Sequence, residues 1–186
     1  MPGQGRDEQD RHFSNLIISH DHGKTWTLSN PASFGNTECQ AVLLGNGSIM
    51  LNCRTERPTK FRTVAVTSDL GNTWKPHATN RNTLIEPNCN GSTYRFDYKQ
   101  DGKKEHILVF ANPHTQAGRD HHTIQISFDD GRTWPKEYHL LLDVGRGAGY
   151  PSLSRVDDRH IGLVYEGSQS QLVFEKFSLD ELLKRR

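Results

Sequence analysis

The sequence has almost no surplus of charge of either sign. Lys and Arg together number 23, against 22 Asp and Glu, which leaves a formal net charge of +1 at pH 7. Nucleic acids and anionic membranes attract proteins that carry an excess of positive charge, so the overall charge favours neither partner. Any anion-binding site must therefore be built locally from a few side chains.

Long apolar runs are also lacking. Apolar runs such as Ala41–Leu44 and Leu140–Leu142 have only a few residues, far below the roughly 18–20 residues of a membrane-spanning helix. The N-terminal segment MPGQGRDEQDR is charged and has none of the apolar stretch of a secretory signal. We therefore expect no membrane span, and nothing in this chain directs export.

Cysteine is scarce, and no CxxC pair is present, which argues against a disulfide framework and a structural zinc site. We expect Cys39, Cys53 and Cys89 to be buried thiols. The histidines of His20–His22 and His121–His122 lie at a turn or on a strand entering one, so we expect them to be exposed and not to bind a metal. No metal and no cofactor is predicted.

One eight-residue pattern, [S/T]-x-D-x-G-x-T-W, occurs three times, beginning at Ser19, Thr67 and Ser127. Such a sequence favours a tight turn, in which Asp accepts backbone hydrogen bonds, Gly supplies a positive φ and Trp packs inward. The predicted structural residues are Asp21, Gly23, Trp26, Asp69, Gly71, Trp74, Asp129, Gly131 and Trp134.

The spacing of the three copies predicts the architecture. They start at positions 19, 67 and 127, which are 48 and 60 residues apart, close to the period of about 40–50 residues of four-stranded propeller blades. Each copy follows a short β-branched or alternating run, typical of a strand that enters a hairpin. A helical signal occurs only at the C-terminal end, where Ser178-Leu-Asp-Glu181 fits a capping box. We predict one all-β domain over residues 1–186, with about three to three and a half blades and a short C-terminal helix.

The repeat resembles the Asp-box, or BNR repeat, of the sialidases (neuraminidases). The segments between the copies also resemble catalytic segments of that family, in the same order: Thr37–Gln40, Asn52–Arg54, Phe110–Pro113 followed by Arg119, and Gly149–Leu153. The resemblance covers essentially the whole chain. It implies the incomplete C-terminal portion of a six-bladed β-propeller from a retaining exo-α-sialidase, a family whose members are often secreted, periplasmic or lysosomal.

The resemblance also implies roles for five residues. Tyr150 would be the nucleophile and Glu38 its base, while Arg54 and Arg119 would be two of three arginines that bind the substrate carboxylate. Glu166 would support the first arginine. That arginine and the acid catalyst Asp belong to the family's N-terminal portion, for which this chain has no counterpart. The isolated chain is therefore expected to be inactive.

The chemistry explains why these residue types suit the substrate. Sialic acid carries a carboxylate on its anomeric carbon, which would repel a carboxylate nucleophile but not a neutral tyrosine. A tyrosine titrates near pH 10, so it needs a base such as Glu38 to remove its proton. Guanidinium groups bind a carboxylate bidentately and remain charged. The implied partners are sialylated glycoproteins, glycolipids and oligosaccharides.

Two alternatives remain open at this point. The chain could belong to a non-catalytic Asp-box propeller that binds glycans or proteins, or to another Asp-box glycosidase that uses paired carboxylates, although no motif singles out such a pair. Linkage preference, and hydrolysis as against transfer of sialic acid, are not encoded in any recognisable pattern. An open arc of blades is also expected to self-associate.

Overall fold

The computed structural model describes residues 1–185, which form two compact units. The first comprises Met1–Leu84 and the second begins at Ile85. Nearly every regular element is an antiparallel β-strand, which confirms the predicted all-β class. Within residues 1–185 there is no helix with the length and apolar character required to cross a membrane.

The first unit opens with a sheet of three rows centred on one strand. Its strands are β1 (Pro2–Arg6), β2 (His12–Ile18), β3 (Thr27–Leu28) and β4 (Ser33–Phe34). Strand β1 pairs with one side of β2, whereas β3 and β4 pair with successive portions of its other side. The two short strands therefore act as one interrupted outer strand.

The second sheet of this unit is a regular four-stranded meander. Its strands are β5 (Asn36–Leu43), β6 (Ile49–Thr55), β7 (Thr63–Thr67) and β8 (Lys75–Pro76), hydrogen-bonded in that order. An apolar cluster in the unit contains Leu16, Cys39, Leu51 and Cys53, with Trp74 packed against it. All three cysteines of the chain are buried free thiols, as predicted.

The second unit contains two sheets over a larger core. The third sheet consists of β9 (Ser92–Gln100), β10 (Lys103–Pro113), β11 (His122–Ser127) and β12 (Leu140–Asp143), with a 3-10 turn at Lys136–Tyr138. The fourth consists of β13 (Gly149–Asp157), β14 (His160–Glu166) and β15 (Leu172–Ser178). Side chains of both sheets share one core, which includes Ile107, Val109, Ile124, Ile161 and Leu163.

The short C-terminal helix is present as predicted. Helix α1 spans Leu179–Leu183, and its capping box is complete: Ser178 accepts a hydrogen bond from the Glu181 amide, and the Glu181 carboxylate accepts one from the Ser178 amide. Leu179 and Leu182 are buried in the core of the unit. Local capping and burial of one apolar face together explain a helix of little more than one turn.

The sheets fit the predicted number of blades. Two are complete four-stranded meanders and two have three rows, which is equivalent to three and a half blades. In both complete meanders the eight-residue repeat joins the third strand to the fourth, and in the first sheet it joins β2 to β3. Strand β2 therefore corresponds to the third strand of a blade.

The hydrogen bonds of the repeat explain its sequence. In the second copy, Asp69 accepts hydrogen bonds from the Thr73 amide at 2.9 Å and the Thr73 hydroxyl at 2.7 Å. The Gly71 amide donates to the Thr67 hydroxyl at 2.8 Å. The bonds from Thr73 lower the pKa of Asp69 to about 2, so the carboxylate stays ionised and accepting. The other two copies repeat this pattern.

The tryptophans of the repeat differ in burial. Trp134 is buried against Phe110, with ring centroids 6.0 Å apart, and Trp74 is half-buried. Trp26 is 49% exposed, so the prediction that every tryptophan packs inward is wrong for this copy. Its Nε1 still donates to the Gly23 carbonyl, but its ring borders an open apolar cavity of about 600 Å³ instead of packing beneath another ring.

The two left-handed glycines Gly71 and Gly47 provide a matched stability test. Their φ values are +82° and +83°, but an added Cβ would lie 2.5 Å from Ser29 Cβ at Gly71 and would meet no atom within 4 Å at Gly47. We expect Gly47→Ala to cost about 1 kcal/mol of unfolding free energy from backbone strain alone. Gly71→Ala should cost about 1–3 kcal/mol more because of the overlap. Equal losses in urea denaturation would contradict this account of the turn.

Candidate functional site

Glu38 and Arg54 form an ion pair in the first unit. Arg54 Nη1 lies 3.1 Å from Glu38 Oε1 and 2.8 Å from Oε2. The register of β5 against β6 shifts between Asn36 and Cys39, and such an irregularity re-aims the neighbouring side chains. The structure thus brings two of the predicted residues into direct contact, a pairing that the sequence pattern does not predict.

This ion pair borders an open cavity of about 370 Å³. Both side chains remain partly exposed, so a ligand can reach the guanidinium and the carboxylate. The other lining residues are Gln4, Gly5, Arg6, His12 and Thr37. Three of these lie on β1, whose sequence PGQGR contains nothing that singles out a site.

Arg119 holds two loops of the second unit together. Its Nη1 donates to the Ala148 carbonyl at 3.0 Å and its Nη2 to the Asn88 carbonyl at 3.4 Å. In return, the Gly147 amide donates to the Arg119 carbonyl at 2.9 Å. The segment that precedes β13 is therefore fixed to the segment that precedes β11.

Tyr150 lies beside Arg119 in an unusual backbone conformation. The Arg119 guanidinium carbon is 5.6 Å from the centre of the tyrosine ring, and the tyrosine is 39% exposed. Tyr150 has a φ of 49°, which is rare for a non-glycine residue. Strained backbone of this kind costs about 1–3 kcal/mol and clusters at functional sites.

The residue before Tyr150 makes this conformation possible. Gly149 has a φ of +101°, and a Cβ there would lie 2.6 Å from the buried sulfur of Cys89 and 3.3 Å from Pro113. Only glycine fits this position. The site is therefore supported by the Cys89 sulfur and by the carbonyls of Asn88 and Ala148. The sequence analysis does not identify these supporting groups. The signal that could have indicated them is the pair of glycines on either side of Ala148.

Glu166 lies at the end of β14, where it is the register partner of Gly149. Its carboxylate accepts no hydrogen bond and forms no ion pair with any of residues 1–185. It lines an open cavity of about 400 Å³ together with Arg146 and Leu172. Its carboxylate is therefore available to a hydrogen-bond donor that enters this cavity.

The histidine predictions are only partly right. His20, His22 and His121 are exposed, but His122 is only 2% exposed and stacks on Tyr165, with ring centroids 4.9 Å apart. The reason is that every residue of β11 is buried. Over residues 1–185, no three His, Cys, Asp or Glu side chains come together in a group that could hold a metal ion.

His114, at the start of the loop that carries Arg119, is held neutral by its surroundings. Its Nδ1 is buried without a hydrogen-bond partner among residues 1–185, and its ring packs edge-on against His139 at 5.2 Å. Burial lowers the pKa of His114 to about 4, and the nearby His139, His121 and Lys136 add to the effect. Protonation of His114 therefore opposes the folded loop.

We expect this histidine to make the fold sensitive to acid. The unfolded chain binds the proton near the ordinary pKa of 6.5 and the folded chain only near 4, so stability is lost as the pH falls between these values. His114→Gln should reduce that loss by on the order of 1–2 kcal/mol, while His122 and His139, whose pKa values are also lowered by burial, leave part of it in place. Urea denaturation at about pH 8 and about pH 5 measures the effect. The exposed His20→Gln is the control, and an unchanged pH dependence in His114→Gln would refute the assignment.

Comparison with known proteins assigns the chain to a family. The BNR repeat-like domain matches residues 1–165. The chain belongs to the BNR repeat-like domain family. Among similar curated proteins, a sialidase of Bacteroides fragilis is 39% identical over 169 residues, covering 91% of this chain and 31% of the relative. A sialidase of Micromonospora viridifaciens is 33% identical over 152 residues, covering 81% and 23%.

Solved structures of sialidases share the fold. The Hadza microbial sialidase Hz136 matches with a TM-score of 0.89 and 38% identity, over 96% of this chain and 34% of that one. Trypanosoma rangeli sialidase matches with a TM-score of 0.74 at 22% identity, which bears on the fold alone. The described sheets are thus part of a sialidase-type β-propeller, and the chain spans about a third or less of these relatives' length.

Proposed function

We propose that this chain is part of an exo-α-sialidase, a retaining glycoside hydrolase that releases terminal sialic acid from glycoconjugates. The observation that carries the proposal is the Arg119–Tyr150 pair: a partly exposed phenol held in strained backbone beside a guanidinium that two carbonyls keep in place. Anchoring of this kind suits a group that must be oriented before it reacts. The similarity to sialidases at 39% and 33% identity supports the same reaction class.

The proposed chemistry assigns a step to each residue. Arg54 and Arg119 bind the carboxylate of sialic acid by charge-assisted hydrogen bonds. Tyr150 attacks the anomeric carbon, its phenolic proton passes to Glu38, and a covalent glycosyl–tyrosine intermediate forms as the aglycone leaves. Water then attacks the same carbon while the bond to Tyr150 breaks. Glu38 returns its proton to the tyrosine oxygen, and the acid catalyst, which gave its own proton to the aglycone, takes the proton of the water, so the configuration is retained overall.

Arg54 has a further property in this scheme. Its Nη1 bridges both oxygens of Glu38, and its partly exposed side chain lines the cavity in which the carboxylate is proposed to bind. Glu166, which pairs with no described residue, would support an arginine outside this chain. Because that arginine and the acid catalyst are not identifiable here, we propose that the 186-residue chain alone binds sialic acid without hydrolysing it.

Substitutions in the longer protein that contains this chain test the roles separately. Tyr150→Phe should lower kcat by at least about 10²-fold with little change in affinity for sialic acid, because it removes the nucleophile and leaves the ring. Arg119→Ala should weaken binding by about 10- to 100-fold, because it removes charged hydrogen bonds. The exposed Arg132→Ala is the control. Equal affinity for sialic acid in Arg119→Ala and the unaltered protein would contradict the assignment.

The 186-residue chain itself gives an independent test. We expect sialic acid to bind weakly, as detected by saturation-transfer NMR, and a fluorogenic sialoside to be left intact. Turnover at a rate normal for a sialidase would refute the proposed incompleteness of the site. Binding that survives both Arg54→Ala and Arg119→Ala would instead favour a glycan-binding surface elsewhere.

A further inference from the structure

Two of the three cysteines face each other across neighbouring strands. Cys39 on β5 and Cys53 on β6 are register partners in an antiparallel pair. Directly opposed residues have Cα atoms about 4.5 or 5.5 Å apart, which falls within the usual range of about 4.4–6.8 Å for a disulfide. The backbone therefore needs no rearrangement of register to join them.

The two thiols also share one buried environment. Cys39 is 7% exposed and Cys53 is fully buried, and both belong to the cluster with Leu16 and Leu51. Cys39 Sγ donates to the Gly3 carbonyl at 3.2 Å. A hydrogen bond from the Cys53 thiol lowers the pKa of Cys39, whereas burial raises the pKa of Cys53. Such a contact makes Cys39 the sulfur that reacts first.

We propose that Cys39 and Cys53 are a thiol–disulfide pair that exchanges with low-molecular-weight disulfides such as glutathione disulfide. The Cys39 thiolate attacks one sulfur of glutathione disulfide, forming a mixed disulfide and expelling one glutathione thiolate. Cys53 then loses its proton and attacks Cys39 Sγ, which expels the second glutathione. The protein pair loses two electrons and two protons, and glutathione disulfide is reduced to two glutathione molecules.

The position of the pair gives the exchange a structural consequence. Glu38 precedes Cys39 and Arg54 follows Cys53, and consecutive residues of a strand point to opposite faces. A disulfide would thus join the two strands on the face opposite the Glu38–Arg54 ion pair. Oxidation is expected to hold these strands together and to raise the thermal stability of the first unit. The inference does not depend on the proposed sialidase function.

Cys89 provides the internal control. It is equally buried but lies in the second unit, where its sulfur faces the Ala148 carbonyl at 3.6 Å and no cysteine partner is present within that unit. Burial alone therefore predicts equal behaviour of all three thiols. Only the cross-strand register predicts that Cys39 and Cys53 react as a pair and that Cys89 stays reduced.

The test equilibrates the folded chain in a series of glutathione redox buffers. Samples are quenched with acid, alkylated with N-ethylmaleimide in denaturant and analysed by mass spectrometry. We expect an oxidised form that takes up one N-ethylmaleimide, on Cys89, and a linked peptide pair containing Cys39 and Cys53. Cys89→Ser should give the same disulfide, and neither Cys39→Ser nor Cys53→Ser should give it.

Parallel equilibration in concentrated guanidinium chloride keeps the proposal falsifiable even if a serine variant fails to fold. The folded chain should favour the Cys39–Cys53 disulfide over the denatured chain by at least about tenfold in equilibrium constant, because folding holds the two sulfurs together. Three alkylated cysteines at every redox ratio, a disulfide that includes Cys89, or the same mixture of pairings in folded and denatured chain would each overturn the proposal.

Discussion

The aspartate of each eight-residue repeat carries the interaction on which the architecture depends. One carboxylate accepts hydrogen bonds from both the amide and the hydroxyl of a single threonine four residues later. These bonds lie within the repeat itself and close the turn between the third and fourth strands of a blade. The serine or threonine before it and the left-handed glycine after it complete the turn. Because these bonds join residues of the repeat to one another, the same hairpin recurs in sheets whose strand lengths and cores differ.

The candidate site residues depend on a different principle. Glu38 and Arg54 contact each other where a register shift interrupts the pairing of β5 with β6. Arg119 and Tyr150 come together because two loops exchange backbone hydrogen bonds. In both places the regular ladder is interrupted, and an irregular backbone positions charged or phenolic groups. The regular strands hold the fold rigid, and the candidate site residues lie at irregular positions beside them.

The sequence predicts the parts of this fold that local chemistry determines. The turns of the repeats and the capped helix follow from turn and cap residues. Strand β1 does not, because its glycines and proline are typical of a loop. The burial of His122 and the exposure of Trp26 depend on which residues pack against them, and these tertiary contacts cannot be predicted from adjacent residues in the sequence.

The same limit applies to the candidate residues. Resemblance to a family identifies Tyr150, Glu38 and both arginines, but neither the Glu38–Arg54 contact nor the carbonyl anchors of Arg119 can be derived from it. Those contacts join segments that are between 16 and 31 residues apart in sequence. Only the glycine before Tyr150 gives a local hint, because a left-handed backbone requires such a residue.

Strand β1 needs its two glycines in order to pack closely against β2. A Cβ on Gly3 would lie 2.7 Å from the Asn15 side chain, and one on Gly5 would lie 2.8 Å from the ring of Phe13. The strand is therefore attached chiefly by its backbone ladder and by little apolar surface of its own. Since the Gly3 carbonyl accepts the Cys39 thiol, fraying of this edge would uncover the sulfur. The lifetime of a strand that contains no large apolar side chain thereby sets how often solvent reaches the buried Cys39 sulfur.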